Sequence, residues 1–295
     1  MNLTSRLNPF TGVALVIGAS STLQFGNALA THLFPILGTW STSFTRFFIA
    51  SLILLALTRP KLHTWNRTQW TYGLGFGIVV GLMNGFFYTA ISRIPLSTAV
   101  TIEFLGPLTL AAVLSRNSRD ISWVLLALAG VSMLGLRTFL GLGSLDIIGV
   151  AAAFGAATFW AIYIVLGTRV GAHIPGTQGL AVALFIGALT LAPFGAPGAT
   201  AVLFDARLLL LVIGTAVLSS LIPFTLEFMA LKRIPNSTFS ILMSLEPAIA
   251  AVAGIIVLNQ KLSILGIIAI ACVITASVGS TLSTMKKKSV IVDQG

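Results

Sequence analysis

Residues 93–107 read RIPLSTAVTIEFLGP, and residues 233–247 read RIPNSTFSILMSLEP. Arg93-Ile94-Pro95 corresponds to Arg233-Ile234-Pro235, Ser97-Thr98 to Ser237-Thr238, and Pro107 to Pro247. A segment that returns 140 positions later in a nearly uncharged chain points to a membrane transporter assembled from two related halves. Weaker echoes extend the match. Gly12-Val13-Ala14 resembles Gly149-Val150-Ala151, and Gly18-Ala19 resembles Gly155-Ala156.

The composition fits that reading. Of 295 residues, 56% are hydrophobic and 8% charged, and the mean hydropathy is +1.01. A water-soluble domain carries about 25% charged residues, whereas a surface facing lipid needs none. The net charge of +10 does not mark a nucleic-acid binder, because the bases sit at the ends of apolar runs instead of forming a patch. Lys286-Lys287-Lys288 suits anionic headgroups, which makes membrane lipid an expected partner. The single cysteine, Cys272, lies in an apolar run, and no Cys/His spacing suggests a metal, so no metal or cofactor is expected. Ala28-Leu29-Ala30 fits a signal-peptide cleavage pattern, but the first apolar run is needed to complete the first half of the repeat.

A helix needs about 20 residues to cross the hydrocarbon layer. With that ruler the spans fall at 11–30, 39–58, 70–91, 96–115, 121–137, 147–168, 177–194, 207–230, 236–258 and 262–284. Turn chemistry separates them at Phe34-Pro35, Arg59-Pro60, Arg93-Ile94-Pro95, Gly141 to Ser144, Ile174-Pro175-Gly176 and Ile234-Pro235-Asn236. The expected fold is an all-α membrane protein of ten transmembrane helices in two five-helix repeats, 1–140 and 141–285, with a short basic tail at 286–295. With both termini in the cytoplasm, twelve bases fall inside and four outside, which favours that orientation. Five spans per half is an odd number, so the second half enters the membrane inverted. Inverted halves give one chain two near-equivalent packings, as alternating access requires. Gly73, Gly77, Gly81 and Gly85 form a flat stripe on the third span, expected to admit a neighbouring helix.

Only Arg46, Glu103, Glu227 and Glu246 are charged and well inside spans. Each costs about 2.5–3.5 kcal/mol at the bilayer centre, so they must face one another, backbone or a wet cavity. Arg46 and Glu103 both lie about 10–12 Å from the outer surface at 1.5 Å per residue, which makes them expected partners. Glu246 falls near midplane, while Glu227, nearer the inner end, is placed to answer Lys232 or Arg233 or to bind substrate. Glu103 and Glu246 are offset by three residues in matching frames, about one helical turn. Pro107 and Pro247 leave the carbonyls of Glu103 and Met243 without helical donors, so each is an expected helix break whose freed carbonyl can bind an ammonium group. A carboxylate held away from water can exchange a proton near neutral pH, which suits Glu103 or Glu246 to proton coupling. Asn84, Tyr88, Trp160, Tyr163 and Phe224 recur at helical intervals as candidate cavity walls, and Arg46 is the available cation for a substrate carboxylate.

The segments TSFTRFFIASLILL, FWAIYIVLGTRVGA, IPFTLEFMALKRIP and ILMSLEPAIAAVAGIIVL, with the paired glutamate–proline spans, resemble the EamA family of the drug/metabolite transporter superfamily. The likeness is greatest to its branch that exports threonine- and homoserine-like amino acids. It implies ten helices in two inverted repeats, residence in a bacterial inner membrane, and efflux of small amino acids or related metabolites against protons. One departure stands out: the family commonly ends the ninth span with Leu-Gly-Glu, and this chain has Leu258-Asn259-Gln260. Export of lipophilic cations or other drugs is the alternative within transport. A channel or an assembly partner is the alternative outside it. An enzyme is not expected, since HExxH, GxSxG and P-loop motifs are missing and His32, His63 and His173 fall in loops.

Overall fold

In hydrocarbon an apolar run must satisfy its own backbone, and a single segment can do so only as a helix. The computed structural model, which describes residues 9–115, 118–139, 145–174, 177–231, 233–234 and 236–292, is helical throughout its spans. The spans, in order, are Pro9–Ala30, Thr39–Thr58, Arg67–Ile91, Leu96–Glu103 with Leu105–Ser115, Ser118–Phe139, Ile147–His173, Gln178–Ala199, Ala206–Ala216 with Val217–Leu221 and Ile222–Leu231, Asn236–Met243 with Glu246–Leu258, and Ile264–Val292. Among the described residues nine helices are long and apolar enough to cross a bilayer, and the fifth span adds the shorter apolar stretch Ile121–Met133. Leu57, Val113, Leu125, Phe194, Leu210, Ile256 and Ile267 point outward and exposed, as a lipid-facing surface requires. The repeat boundary at 140–141, Gly141 to Ser144, Pro175-Gly176, Pro235, Arg6, Arg116 and Lys232 lie outside the described residues, as do the side chains of Arg119, Arg137 and Lys286 to Lys288.

Two expected boundaries move. The chain does not break at Phe34-Pro35. It stays helical through Thr31–Leu33 and Phe34–Leu37, with Pro35 in a first turn where its missing N–H costs nothing, and turns at Gly38, whose φ of 83° favours glycine. The seventh helix does not stop at 194 but runs through Pro193 and Pro197 to Ala199. There Gly195 and Gly198 bring it onto the backbone of Trp40 and Leu37.

Packing repeats as the sequence does. The second span packs on the seventh and the fifth on the tenth; the third packs on the sixth as the eighth packs on the first. The fourth meets the sixth, and the ninth meets the first. The set of contacts maps onto itself when every span is exchanged for the one five places away, so the halves interlock about a pseudo-two-fold. Individual contacts obey the same rule. A Cβ on Gly12 would lie 2.4 Å from Ile234 Cγ2, and one on Gly149 would lie 2.9 Å from Ile94 Cγ2. Gly18 faces Leu226 as Gly155 faces Phe86. The same turn closes both copies, with residues 93 and 94 donating to Ala90 O and residues 233 and 234 to Ala230 O.

Three of the glycines in the third-span stripe face the seventh span. A Cβ on Gly81 would sit 2.8 Å from the Gly187 carbonyl oxygen, and one on Gly77 would sit 2.5 Å from Ile186 Cβ. Gly85 meets Leu191 and Trp40, while Gly73 faces the Trp65 ring. At the departure from the family pattern, Asn259 takes the left-handed φ of 53°, and Gln260 Oε1 accepts a hydrogen bond from Leu96 N at 3.1 Å, closing the start of the fourth span.

Gly81→Val is expected to cost about 1–3 kcal/mol of overpacking; an unchanged thermal midpoint in detergent would contradict the packing role. A second test concerns Asp146, which caps the sixth helix by accepting from Gly149 N at 2.9 Å and pairs with Arg93 at 3.1 Å. The Gly149 hydrogen bond, helped by the Arg93 guanidinium, holds its carboxyl below the usual aspartate range. Its stabilising effect is present above the unfolded aspartate range and is lost as pH falls through the lowered folded value. Asp146→Ala should lower the thermal midpoint at neutral pH, and the gap to wild type should close in acid; a gap independent of pH would refute this.

Candidate functional site

The site begins at the two proline-directed breaks. Proline offers no N–H to the carbonyl four residues earlier, and the fourth span is interrupted at Phe104, the ninth at Ser244-Leu245. Glu103 ends one half-helix, while Glu246 opens another. The one-turn offset between the two acids spans each break, where Phe104 and Leu245 keep right-handed helical φ and ψ. The acids reach a shared space from opposite edges of equivalent breaks.

That space is a cavity of about 590 Å³ between the first, second, third, fourth, sixth, eighth, ninth and tenth spans. Its walls include Arg46, Asn84, Glu103, Pro107, Trp160, Tyr163, Phe224, Glu227 and Glu246. Tyr88 and Pro247 are buried outside the lining. Tyr88 backs the arginine, with its ring centroid 4.6 Å from the guanidinium carbon.

Arg46 is 1% exposed and holds three other spans. Its Nη1 donates to Ser219 Oγ at 2.8 Å and to Asn27 Oδ1 at 3.4 Å, and its Nη2 donates to Asn84 Oδ1. The guanidinium carbon lies 4.8 Å from the ring centroid of Phe47 and 4.6 Å from that of Tyr88. The expected pair of Arg46 with Glu103 is not formed. Among the described residues the one ion pair is Arg93–Asp146. Equal depth sets the height of two groups but not their direction, and here neutral acceptors occupy the guanidinium fork. Glu227 likewise does not answer Arg233, whose Nη1 donates to Met229 O at 3.0 Å; Glu227 lines the cavity.

Glu246 is buried and accepts from Ser20 Oγ at 3.4 Å. The pseudo-two-fold counterpart of this contact is Gly106 against Ala157, where a Cβ on the glycine would lie 2.0 Å from the Ala157 oxygen. The same meeting of spans is closed by backbone in one half and carries a carboxylate and a hydroxyl in the other.

Sequence reasoning missed Gln24, Asn27, Ser219 and Ser220, all buried and all lining the cavity. Gln24 and Asn27 stand one helical turn apart in an apolar run, a signal that was present. Ser219 and Ser220 fall in the π-helical turn Val217–Leu221, a form of backbone frequent at functional sites. Among the described residues no group of His, Cys, Asp and Glu could hold a metal ion. One guanidinium facing three carboxylates, between aromatic walls, can accommodate both ends of a zwitterion.

Arg46→Lys keeps the charge but cannot reach Asn27, Asn84 and Ser219 together. A loss of roughly 1–3 kcal/mol of stability is expected, read as a lower thermal midpoint; a midpoint equal to wild type would contradict the cross-linking role.

Residues 147–282 match the family model described as EamA-like transporter family. The threonine/homoserine exporter RhtA of Salmonella typhimurium (strain LT2) is 39% identical over 292 residues, covering 97% of each chain. RhtA of Escherichia coli (strain K12) is 38% identical over 283 residues, covering 94% of each. A solved structure with 17% identity shares the fold at a TM-score of 0.57, over 97% of this chain and 99% of its own.

Proposed function

As the chain belongs to the EamA-like transporter family, we propose that it exports small amino acids of the threonine and homoserine kind, or related metabolites, by proton antiport. The observation that carries this reading is Arg46, a buried guanidinium on a midmembrane cavity with no acid paired to it. A substrate carboxylate is the anion that such a group can still accept. The substrate ammonium then faces the cavity carboxylates Glu103, Glu227 and Glu246. The two inverted five-span units, 1–140 and 141–285, supply the alternating packings. The bias of basic residues supports cytoplasmic termini in the inner membrane of a bacterium.

Glu246 and Glu103 are the coupling candidates. Each lines the cavity at a helix break, so a proton and a substrate ammonium compete for the same carboxylate. Exclusive occupation by one or the other is what obliges exchange. An excess of three carboxylates over one guanidinium, with Phe104, Trp160 and Phe224 in the walls, also supports a second reading, the export of lipophilic cations.

Cells expressing the chain should gain resistance to inhibitory threonine and homoserine and not to cationic dyes; resistance to dyes alone would favour the second reading. In proteoliposomes unlabelled threonine on the far side should accelerate uptake of labelled threonine, a trans-stimulation that neither a channel nor an enzyme shows. Glu246→Gln or Glu103→Gln should abolish export driven by a pH gradient while the protein still folds. Unchanged coupling in both variants would sink the proton-antiport assignment.

A further inference from the structure

Among the described residues four buried side-chain polar atoms have no hydrogen-bond partner: Gln24 Oε1, Ser43 Oγ, Arg46 Nε and Ser220 Oγ. Ser43 lies outside the cavity lining, but the other three residues line it. Buried polar groups in proteins are nearly always paired, and a cluster of exceptions needs a physical reason. Here three belong to residues that line the wall of one cavity, among them the buried arginine.

The wall is built to keep them there. A Cβ on Gly26 would lie 2.8 Å from Ser219 N, so the first span touches the backbone of the π-helical turn that carries Ser219 and Ser220. Ser219 is fully engaged, donating to Thr215 O at 2.5 Å and accepting from Arg46. Both Nη atoms of Arg46 have protein acceptors. What is left over is an N–H donor, a hydroxyl and a carbonyl acceptor, from three different spans.

We propose that these atoms form the head-group subsite for an α-amino acid, an inference that rests on the export reading above. Arg46 Nε and the Ser220 hydroxyl donate to the substrate carboxylate, and Gln24 Oε1 accepts from its ammonium. A simple anion would meet the lone pairs of Gln24, and a simple cation would meet Arg46. A ligand with acceptor and donor on neighbouring atoms satisfies all three. An ammonium carries three N–H donors, so one on Gln24 Oε1 leaves the others to compete with protons for the cavity glutamates, and the substrate side chain turns towards the aromatic wall.

The test is counterflow of labelled threonine in proteoliposomes, with competition by unlabelled threonine, threonine amide and 3-hydroxybutyrate. The amide lacks the carboxylate and the hydroxy acid lacks the ammonium. Wild type should prefer threonine over each analogue by roughly tenfold or more, the scale of one charge-assisted hydrogen bond. Ser220→Ala should erode the preference over the amide and keep that over 3-hydroxybutyrate. Gln24→Leu should do the reverse, and Gln24→Glu, which retains an acceptor, should restore it. Thermal midpoints of the variants monitor folding. Variants that weaken all three ligands equally, or leave their ranking intact, would reduce Gln24 and Ser220 to packing residues and overturn the subsite while leaving export standing. Wild-type protein that shows no amino-acid counterflow would instead overturn the export reading, and the subsite with it.

Discussion

A guanidinium buried in the middle of a membrane protein is tolerable only if dipoles or ring faces surround most of it. Arg46 meets this need at both Nη atoms with side chains from the first, third and eighth spans, and with the rings of Phe47 and Tyr88, leaving Nε without a protein acceptor. Its charge is therefore solvated by dipoles and π-faces, and not cancelled by a carboxylate. The distinction governs the site. An arginine locked to Glu103 would present a neutral wall, whereas one held by amides and hydroxyls keeps its positive field in the cavity. The same contacts tie the first half to the second, since Ser219 belongs to the later repeat and Asn27 and Asn84 to the earlier one.

The duplication supplies the frame, and its imperfection supplies the chemistry. Gly12 on Ile234 and Gly149 on Ile94 are the same contact made twice, as are Gly18 on Leu226 and Gly155 on Phe86. Around the cavity the correspondence lapses. Gly106 presses on the backbone of Ala157, while its counterpart Glu246 faces Ser20; Glu103 corresponds to Met243. Symmetric packing repeats the scaffold in both halves, and the asymmetric residues give the cavity its carboxylate and hydroxyl groups.

Most of the architecture was legible because span length and repeat register are one-dimensional properties. The helix breaks near Pro107 and Pro247 follow from a missing N–H, which a sequence displays directly. What escaped was orientation about the helix axes. Arg46 and Glu103 share a depth but not a direction, and Glu227 turns to the cavity away from Arg233. Neutral residues escaped for another reason. A glutamine, an asparagine and two serines in an apolar chain cost little in lipid compared with a charge, so nothing in the sequence separates a ligand-facing amide from one that pairs within the bundle. The π-helical turn at Val217–Leu221 has no residue signature at all.

Interlocked halves also bear on biogenesis. The first described helix finds its neighbours in the eighth and ninth, which are made much later. Until then the second helix carries a guanidinium whose serine acceptor has not yet been made. Maturation cannot then proceed module by module, as it would for two bundles each closed upon itself. The early helices complete their packing only when the eighth and ninth have been made.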